Sequence, residues 1–412
     1  MKALILAAGR GSNLHPLTDT RPKPMIYMCG KPVLQYIIES LREIGVHDII
    51  LVVGHKKEKI INYFRRGEDF KVSISYIEQE NQTGIGDAVM LAEDRFAIGE
   101  HFFLVYADII FQPNIFLAAQ MSFNALKAPI ATITLAPSSE LYGNVYLDRD
   151  VQITRIVEKP YREAGLSYTG GGNYVLAGVF ILSAEFFSLL KTVDGDIKRG
   201  FDLLIDQNNL FASIFEGEWI DLGYPWNIID ANKLLMKSFT HAHIANSVNF
   251  DGSVTIRGPV YIEDGVLIKS GAVINGPCYI GKGSFIGNNV LVREYTSIGS
   301  RCTIGFGVEL KNCVLFENCK VGRLSFIGDS VLGEGVEIAS GVMTVNNLMT
   351  DETVKVKTYA GTQQNVPPTD SHLRKLGSFI GDYAKVGASN TLLPGTVIPS
   401  GTYIPHQGTQ WE

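Results

Sequence analysis

Two hydrophobic periods divide this chain. From residue 1 to about 235, short apolar runs alternate with amphipathic stretches. "KALILAAG", "HDIILVVGH", "HFFLVYAD" and "PIATITLA" read as buried strands. "VLQYIIESLREIG" (33 to 45) sets its aliphatics at helical spacing and ends on Gly45, which suits a helix cap. Strands alternating with helices predict an α/β domain on a mainly parallel sheet. Ligands of such sheets gather beyond the carboxyl ends of the strands, where the glycine loop after the first run and Asp108 after a later one both fall.

From about residue 250 the period is six. Ile256, Ile262, Ile268, Ile274, Ile280, Ile286, Val292, Ile298, Ile304 and Leu310 recur without a miss. Two positions before each stands a small or β-branched residue, from Val254, Val260 and Val266 to Cys302 and Val308. Glycines follow many of the aliphatics, as in "IGKGSF" and "IGNNVL", where a coil must turn sharply. The pattern resembles the hexapeptide repeat of left-handed parallel β-helices, in which inward aliphatics stack as a ladder. Ile380, Val386, Leu392, Ile398 and Ile404 resume it, and residues 346 to 376, which lose the period, are expected to loop out. The expected organisation is an α/β domain over 1–235, a linker over 236–247 within "KLLMKSFTHAHIANSV", and a β-helix over 248–412. The polar tail "PHQGTQWE" would cap the open end, with Trp411 over the apolar stack.

Composition narrows the partners. A hydrophobic content of 46% over 412 residues supports well-buried cores. A net charge of −6 and the lack of long basic runs argue against nucleic acid or an anionic membrane as partner and favour a small-molecule substrate. Five cysteines, odd in number and without C-x-x-C spacing, read as reduced thiols of a cytoplasmic chain. The short apolar start does not read as a signal peptide, and no run is long enough to span a bilayer.

The stretch "LILAAGRGSNLHPLTDTRPKPM" lacks both the G-K-[ST] of a P-loop and the third glycine of a dinucleotide fingerprint. It resembles instead the signature of sugar-1-phosphate nucleotidylyltransferases, L-A-A-G-x-G-[ST]-R-L-x-P-L-T followed by P-K-P. The resemblance continues in order through "YIEQENQTGIGDA", "LVYADII", "SSELYGNV", "RIVEKP" and "WIDLGYPWNIIDAN". It implies nucleotide contacts at Leu6, Ala8, Gly9 and Gly11, with Gln79 and Gly84 reading a pyrimidine edge. It further implies sugar-phosphate contacts at Gly143, Glu158 and Lys159, and Mg²⁺ held by Asp108 and Asp221. Lys23, Asp108, Lys159 and Asp221 would carry the transfer from NTP, UTP or dTTP by Gln79, to a sugar-1-phosphate.

The chemistry suits these residue types. A sugar phosphate with a second pKa near 6 is largely dianionic at neutral pH and attacks phosphorus without a protein base. Charge repulsion is the obstacle, so cations are what the site must supply. Three positions depart from the signature: Asn13 replaces the loop arginine, Ile85 a threonine, and Leu176 in "VLAGVF" an asparagine. Loss of a charged donor costs about 10²- to 10³-fold in turnover. Arg10, within the loop, is a candidate substitute. The chain is thus read as a nucleotidylyltransferase of reduced or altered activity. The alternatives are a non-catalytic regulatory or scaffold subunit that binds sugar nucleotide or a catalytic partner and, after it, an amino-sugar-1-phosphate acetyltransferase.

The two-domain layout is also similar to bifunctional enzymes that add an amino-sugar-1-phosphate acetyltransferase. Their K-x-x-H-L-[ST]-Y-x-G-D reads "KVGRLSFIGD" here, with Lys320 and Asp329 kept, Arg323 at the base position and Phe326 for the tyrosine. Arginine does not deprotonate in proteins, so it cannot be that base. Asn346 and Lys355 match later substrate positions, while Glu352 replaces a lysine. Hexapeptide β-helices commonly form trimers, so the resemblance implies a homo-oligomer.

Overall fold

The structure, a computed structural model, describes residues 1–81, 83–135, 144–157, 174–358 and 367–408. Its contacts group into two compact units: Met1–Arg10 with Val33–Asp221, and Gly11–Pro32 with Leu222–Glu412.

The first unit is an α/β layer structure. Besides a small antiparallel pair, Asn144–Leu147 with Ile153–Val157, its described strands are β1 (Lys2–Ala7), β2 (Asp48–Val53), β3 (Ser73–Glu78), β4 (His101–Tyr106), β5 (Ile109–Gln112), β6 (Ile130–Leu135), β7 (Tyr174–Ser183), β8 (Phe211–Phe215) and β9 (Glu218–Asp221). Seven of them form one sheet in the order β8-β6-β7-β4-β1-β2-β3. Only β7 runs against its neighbours, β4 and β6. The central strands read as continuous apolar runs because both faces are covered: Ala3, Leu4 and Ile5 are fully buried, as are Phe103 and Leu104. The helix Val33–Glu43 buries Val33, Leu34, Ile37, Ile38 and Leu41, which its spacing brings to one face. Gly45 then takes a left-handed φ of 82°, and its N–H donates to the Arg42 carbonyl. A separate ribbon pairs β5 with β9 antiparallel.

The second unit is a left-handed parallel β-helix of three sheets with eight, eight and seven short strands. Ile262 pairs with Ile280 and Ile280 with Ile298, so one coil is three hexapeptides. The aliphatic ladder fills the interior: Ile262 to Leu310 are fully buried at every sixth position, and Val260, Val266 and Val308 line the adjoining corners. Each such side chain contributes about 1.5–3 kcal/mol relative to exposure. The six-residue count breaks after Leu310 for a structural reason. Ile298 pairs with Leu315 and Ile304 with Val321, so this coil is one residue shorter than those before it. The chain leaves the helix after Thr344 and returns by Phe379, with Leu332 then pairing to Ile380. A small antiparallel pair, Lys355–Val356 with Thr369–Asp370, lies within this excursion. Trp411 lies outside the described residues. All five cysteines are free and buried, and no helix among the described residues is long and apolar enough to cross a membrane.

Candidate active site

The first unit gathers several of the anticipated residues at the carboxyl ends of neighbouring strands. β1 lies between β2 and β4 and ends at Ala7, where Ala8 and Gly9 begin the loop. The His55 N–H donates to the Ala8 carbonyl at 3.2 Å, and the Gln79 N–H to the Val53 carbonyl at 2.8 Å. Gly54 makes this closure possible, because a Cβ there would stand 3.0 Å from both the Ala8 Cβ and the Gln79 carbonyl oxygen. Gln79 is buried, and its Nε2 donates to the Gly84 carbonyl at 3.0 Å. The glutamine and glycine anticipated as a base-reading pair are therefore joined across the turn that enters the helix Ile85–Met90.

The two aspartates also converge. Ala107, whose N–H donates to the Leu6 carbonyl at 3.3 Å, and Asp108 form the turn from β4 into β5. In the β5–β9 ribbon Asp221 stands opposite Ile109, the residue after Asp108. Both carboxylates are half-buried. The ribbon is tied to β7 through the Trp219 Nε1, which donates to the Ala177 carbonyl at 3.0 Å. Leu176, at the position of the signature's asparagine, pairs with Ile133 and packs against the apolar core. Gly178 follows at φ 75° with the Tyr106 ring beside it, where a Cβ would sit 3.2 Å away.

Gly11 and Lys23 belong to the second unit. Gly11 adopts φ 64°, and a Cβ on it would reach within 2.9 Å of the Lys23 Cβ, so only glycine lets the loop fold back on this lysine. Thr18 Oγ1 donates to the Gly11 carbonyl at 2.9 Å. Asn13, in the single turn Ser12–Leu14, is exposed. Gly143, Glu158 and Lys159 lie outside the described residues.

On the β-helix the residues of "KVGRLSFIGD" do not form a proton-transfer pair. Arg323 is exposed, and Lys320 pairs with Glu337 at 3.4 Å. Asp329 is buried, accepts from Lys311 Nζ at 3.1 Å, and also accepts from the amides of Asn312 and Asn346.

The profile described as Nucleotidyl transferase matches residues 2–238, and that described as EIF2B subunit epsilon LbH domain matches residues 257–361. The chain belongs to the sugar-1-phosphate nucleotidyltransferase family. Among relatives of this nucleotidyltransferase, the bifunctional protein GlmU of Methanocaldococcus jannaschii is 33% identical over 98% of this chain and 93% of that protein. The bifunctional sugar-1-phosphate nucleotidylyltransferase/acetyltransferase of Sulfurisphaera tokodaii is 35% identical over 97% of this chain and 94% of that one. A solved UDP-glucose pyrophosphorylase complexed with UDP-glucose, 24% identical, superposes with a TM-score of 0.51 over 57% of this chain and 98% of that one, a likeness of fold.

One feature of the nucleotidyltransferase unit was not anticipated from sequence. Burial, with the positive charges of Lys56 and Arg10, pushes the His55 imidazole below its ordinary value. Arg10 follows β1 and His55–Lys56 follow β2, so adjacent strand ends share a positive field. No motif links Arg10 to Lys56, and only the pairing of β1 with β2 reveals it.

Proposed function

We propose that this chain transfers a nucleotidyl group from UTP or dTTP to a hexose-1-phosphate, giving an NDP-sugar and pyrophosphate. The observation that carries the reading is Asp221 standing opposite the residue after Asp108. Two carboxylates so placed suit Mg²⁺, which keeps few protein ligands and takes the rest from phosphate oxygens and water. Among the described residues no group of three or more His, Cys, Asp or Glu side chains could hold a metal, so the donor set does not resemble an all-protein cage. When bound, Mg²⁺ would neutralise phosphate charge.

The chain's own residues do the rest in this reading. Gln79, oriented by its bond to Gly84, presents its amide to the pyrimidine edge. The N–H groups of Ala8, Gly9 and Gly11 meet the phosphates, with Leu6 beneath the nucleotide. Lys23 offsets triphosphate charge, while Glu158, Lys159 and Gly143 hold the sugar phosphate. With Asn13 neutral, the positive field of Arg10 and Lys56 supports the leaving pyrophosphate in part, and turnover is reduced rather than lost. Leu176 presents no polar group, which alters sugar selection.

Both relatives are named bifunctional, but Arg323 leaves acetyl transfer without its base. The exposed Asn13 favours one second reading, a non-catalytic regulatory or scaffold subunit that binds sugar nucleotide or a catalytic partner. We further propose a cytoplasmic homo-oligomer, trimeric or a multiple of it, assembled through the β-helix; five free thiols support the compartment. Pyrophosphate release with Mg²⁺, UTP or dTTP and a panel of sugar-1-phosphates tests the proposal. Release that Asp108→Ala abolishes supports transfer, whereas nucleotide binding without release selects the regulatory reading.

A further inference from the structure

The segment Gly11–Pro32, which carries Lys23, is fastened along one corner of the β-helix. Leu315, Leu332, Ile380 and Ile398 are successive rungs of one sheet, and the residues just beyond these rungs receive the loop. Arg21 lies with its guanidinium 4.9 Å from the Phe316 ring. Its Nη2 donates to Glu334 Oε2 at 2.8 Å and to Asp382 Oδ2 at 2.9 Å. The Arg21 side chain is 7% exposed and that of Asp382 fully buried. Asp382 is itself held, because its Oδ1 accepts the Glu334 N–H at 2.7 Å and its Oδ2 also accepts the Thr20 hydroxyl. Further along, the Ser400 N–H donates to Asp19 at 3.4 Å. At the other end the Cys29 N–H donates to Ser297 Oγ at 3.2 Å, and Gly30 faces Tyr279 so closely that no Cβ would fit. The loop therefore runs from the coil of Tyr279 to the coil of Ser400, with Arg21 making a buried charge pair to the helix.

A buried guanidinium between two carboxylates fixes geometry more surely than it adds stability, since desolvation offsets much of its Coulombic gain. What it fixes is the next turn. Pro22 follows Arg21, and Lys23 opens the turn Lys23–Met25, whose backbone is closed by the Met25 N–H to Pro22 and the Ile26 N–H to Lys23.

We propose that Arg21 and Asp382 are positioning residues for nucleotidyl transfer, acting through Lys23, whose turn they fix. This rests on the reading of Lys23 given above. The β-helix coil carrying Asp382 sets where the Lys23 backbone sits, and loosening the pair frees the turn that presents the ammonium. A misplacement of about 1 Å costs on the order of 10²-fold in such sites.

The test uses the full chain and measures equilibrium binding of UTP and dTTP with Mg²⁺, which needs no turnover, beside kcat and KM for pyrophosphate release. Amide hydrogen exchange at Met25 and Ile26 and a melting curve accompany each variant. Lys23→Ala sets the scale. Arg21→Ala and Asp382→Asn are expected to weaken NTP affinity about tenfold, to leave the sugar-phosphate KM within about twofold, and to speed exchange at Met25 and Ile26. Arg21→Lys should restore part of the affinity, and the double variant should be no worse than the worse single one. If Lys23→Ala is defective while folded Asp382→Asn and Arg21→Lys bind NTP as the unaltered chain does, the positioning role is overturned and the Lys23 reading stands. If Lys23→Ala itself binds NTP normally, both fall together.

Discussion

Asp221 stands in register with Ile109, so that it flanks Asp108 across the two-stranded ribbon β5–β9. The two residues are far apart in sequence, and each alone is an ordinary strand-end carboxylate. In the proposed reading their value lies in the pairing: the two carboxylates would hold a cation whose remaining positions substrate oxygens and water would fill. Removing either is expected to reduce pyrophosphate release by on the order of 10³-fold, the scale of several kcal/mol of charge stabilisation. Asp221→Asn should retain the fold and raise the Mg²⁺ concentration needed for half-maximal rate. A titration of rate against Mg²⁺ checks this, and an unchanged midpoint contradicts it.

Asn13 is exposed in the turn Ser12–Leu14, so arginine fits there without repacking. Asn13→Arg is predicted to raise kcat by about 10²-fold. Steady-state pyrophosphate release measures it. Arg10→Ala in the unaltered chain should lower kcat further. The same change should matter less in the Asn13→Arg background if Arg10 substitutes for the loop arginine as proposed.

Gln79 is held by its bond to the Gly84 carbonyl. Gln79→Ala should raise the KM for UTP about tenfold and shrink the preference for pyrimidine over purine triphosphates, as expected where a site built to hydrogen-bond one edge loses its donor. Competition between UTP and ATP reads out the change. Equal discrimination before and after would exclude Gln79 as the base reader.

The His55 imidazole lies below its usual 6.5 through burial and the charges of Lys56 and Arg10. Its folded value is thus depressed, so the stability linked to it is complete above 6.5 and declines as pH falls through the folded value. In the proposed reading a triphosphate would bind beside Lys56 and Arg10, offset their charge and raise the imidazole again. Nucleotide binding at about pH 6 should therefore take up protons. Calorimetry in two buffers of different ionisation enthalpy detects the uptake, and His55→Gln should abolish it. Equal heats in both buffers would show that phosphate charge does not reach His55.

Inside the β-helix, Ile298 is fully buried between Ile280 and Leu315. Ile298→Ala should cost about 2–5 kcal/mol, since neighbouring coils cannot close on the space left. Chemical denaturation followed by circular dichroism measures the loss. A smaller cost would mean that the shortened coil next to it absorbs the cavity.

Much of this architecture was legible because it repeats or alternates. The six-residue ladder from Ile256 to Leu310 names its own inward face, and the continuous apolar runs at Leu4 and Leu104 announce strands covered on both sides. The ladder became unreadable after Leu310 because two successive coils are each a residue shorter, which shifts Leu315 and Val321, and then Leu332 and Ile338, out of the earlier count. The signature named Gln79, Gly84, Asp108 and Asp221 one by one, and the structure joins Gln79 to Gly84 and sets Asp221 opposite the residue after Asp108. The attachment of the Lys23 loop to the β-helix was not legible. Arg21 and Asp382 are 361 residues apart, and neither sits at a position that period or motif marks. Nor was the field of Arg10 and Lys56, which exists only because β1 and β2 are neighbours in the sheet.

The central claim is that this chain, despite Asn13, catalyses transfer through the carboxylate pair. The most direct measurement is pyrophosphate release by the purified full-length protein with Mg²⁺, UTP or dTTP, and sugar-1-phosphates, run beside Asp108→Ala. The account predicts slow release that depends on the sugar phosphate and disappears in the variant. Silence from the unaltered chain that Asn13→Arg converts to turnover would contradict it and show a binding or regulatory subunit on an intact scaffold.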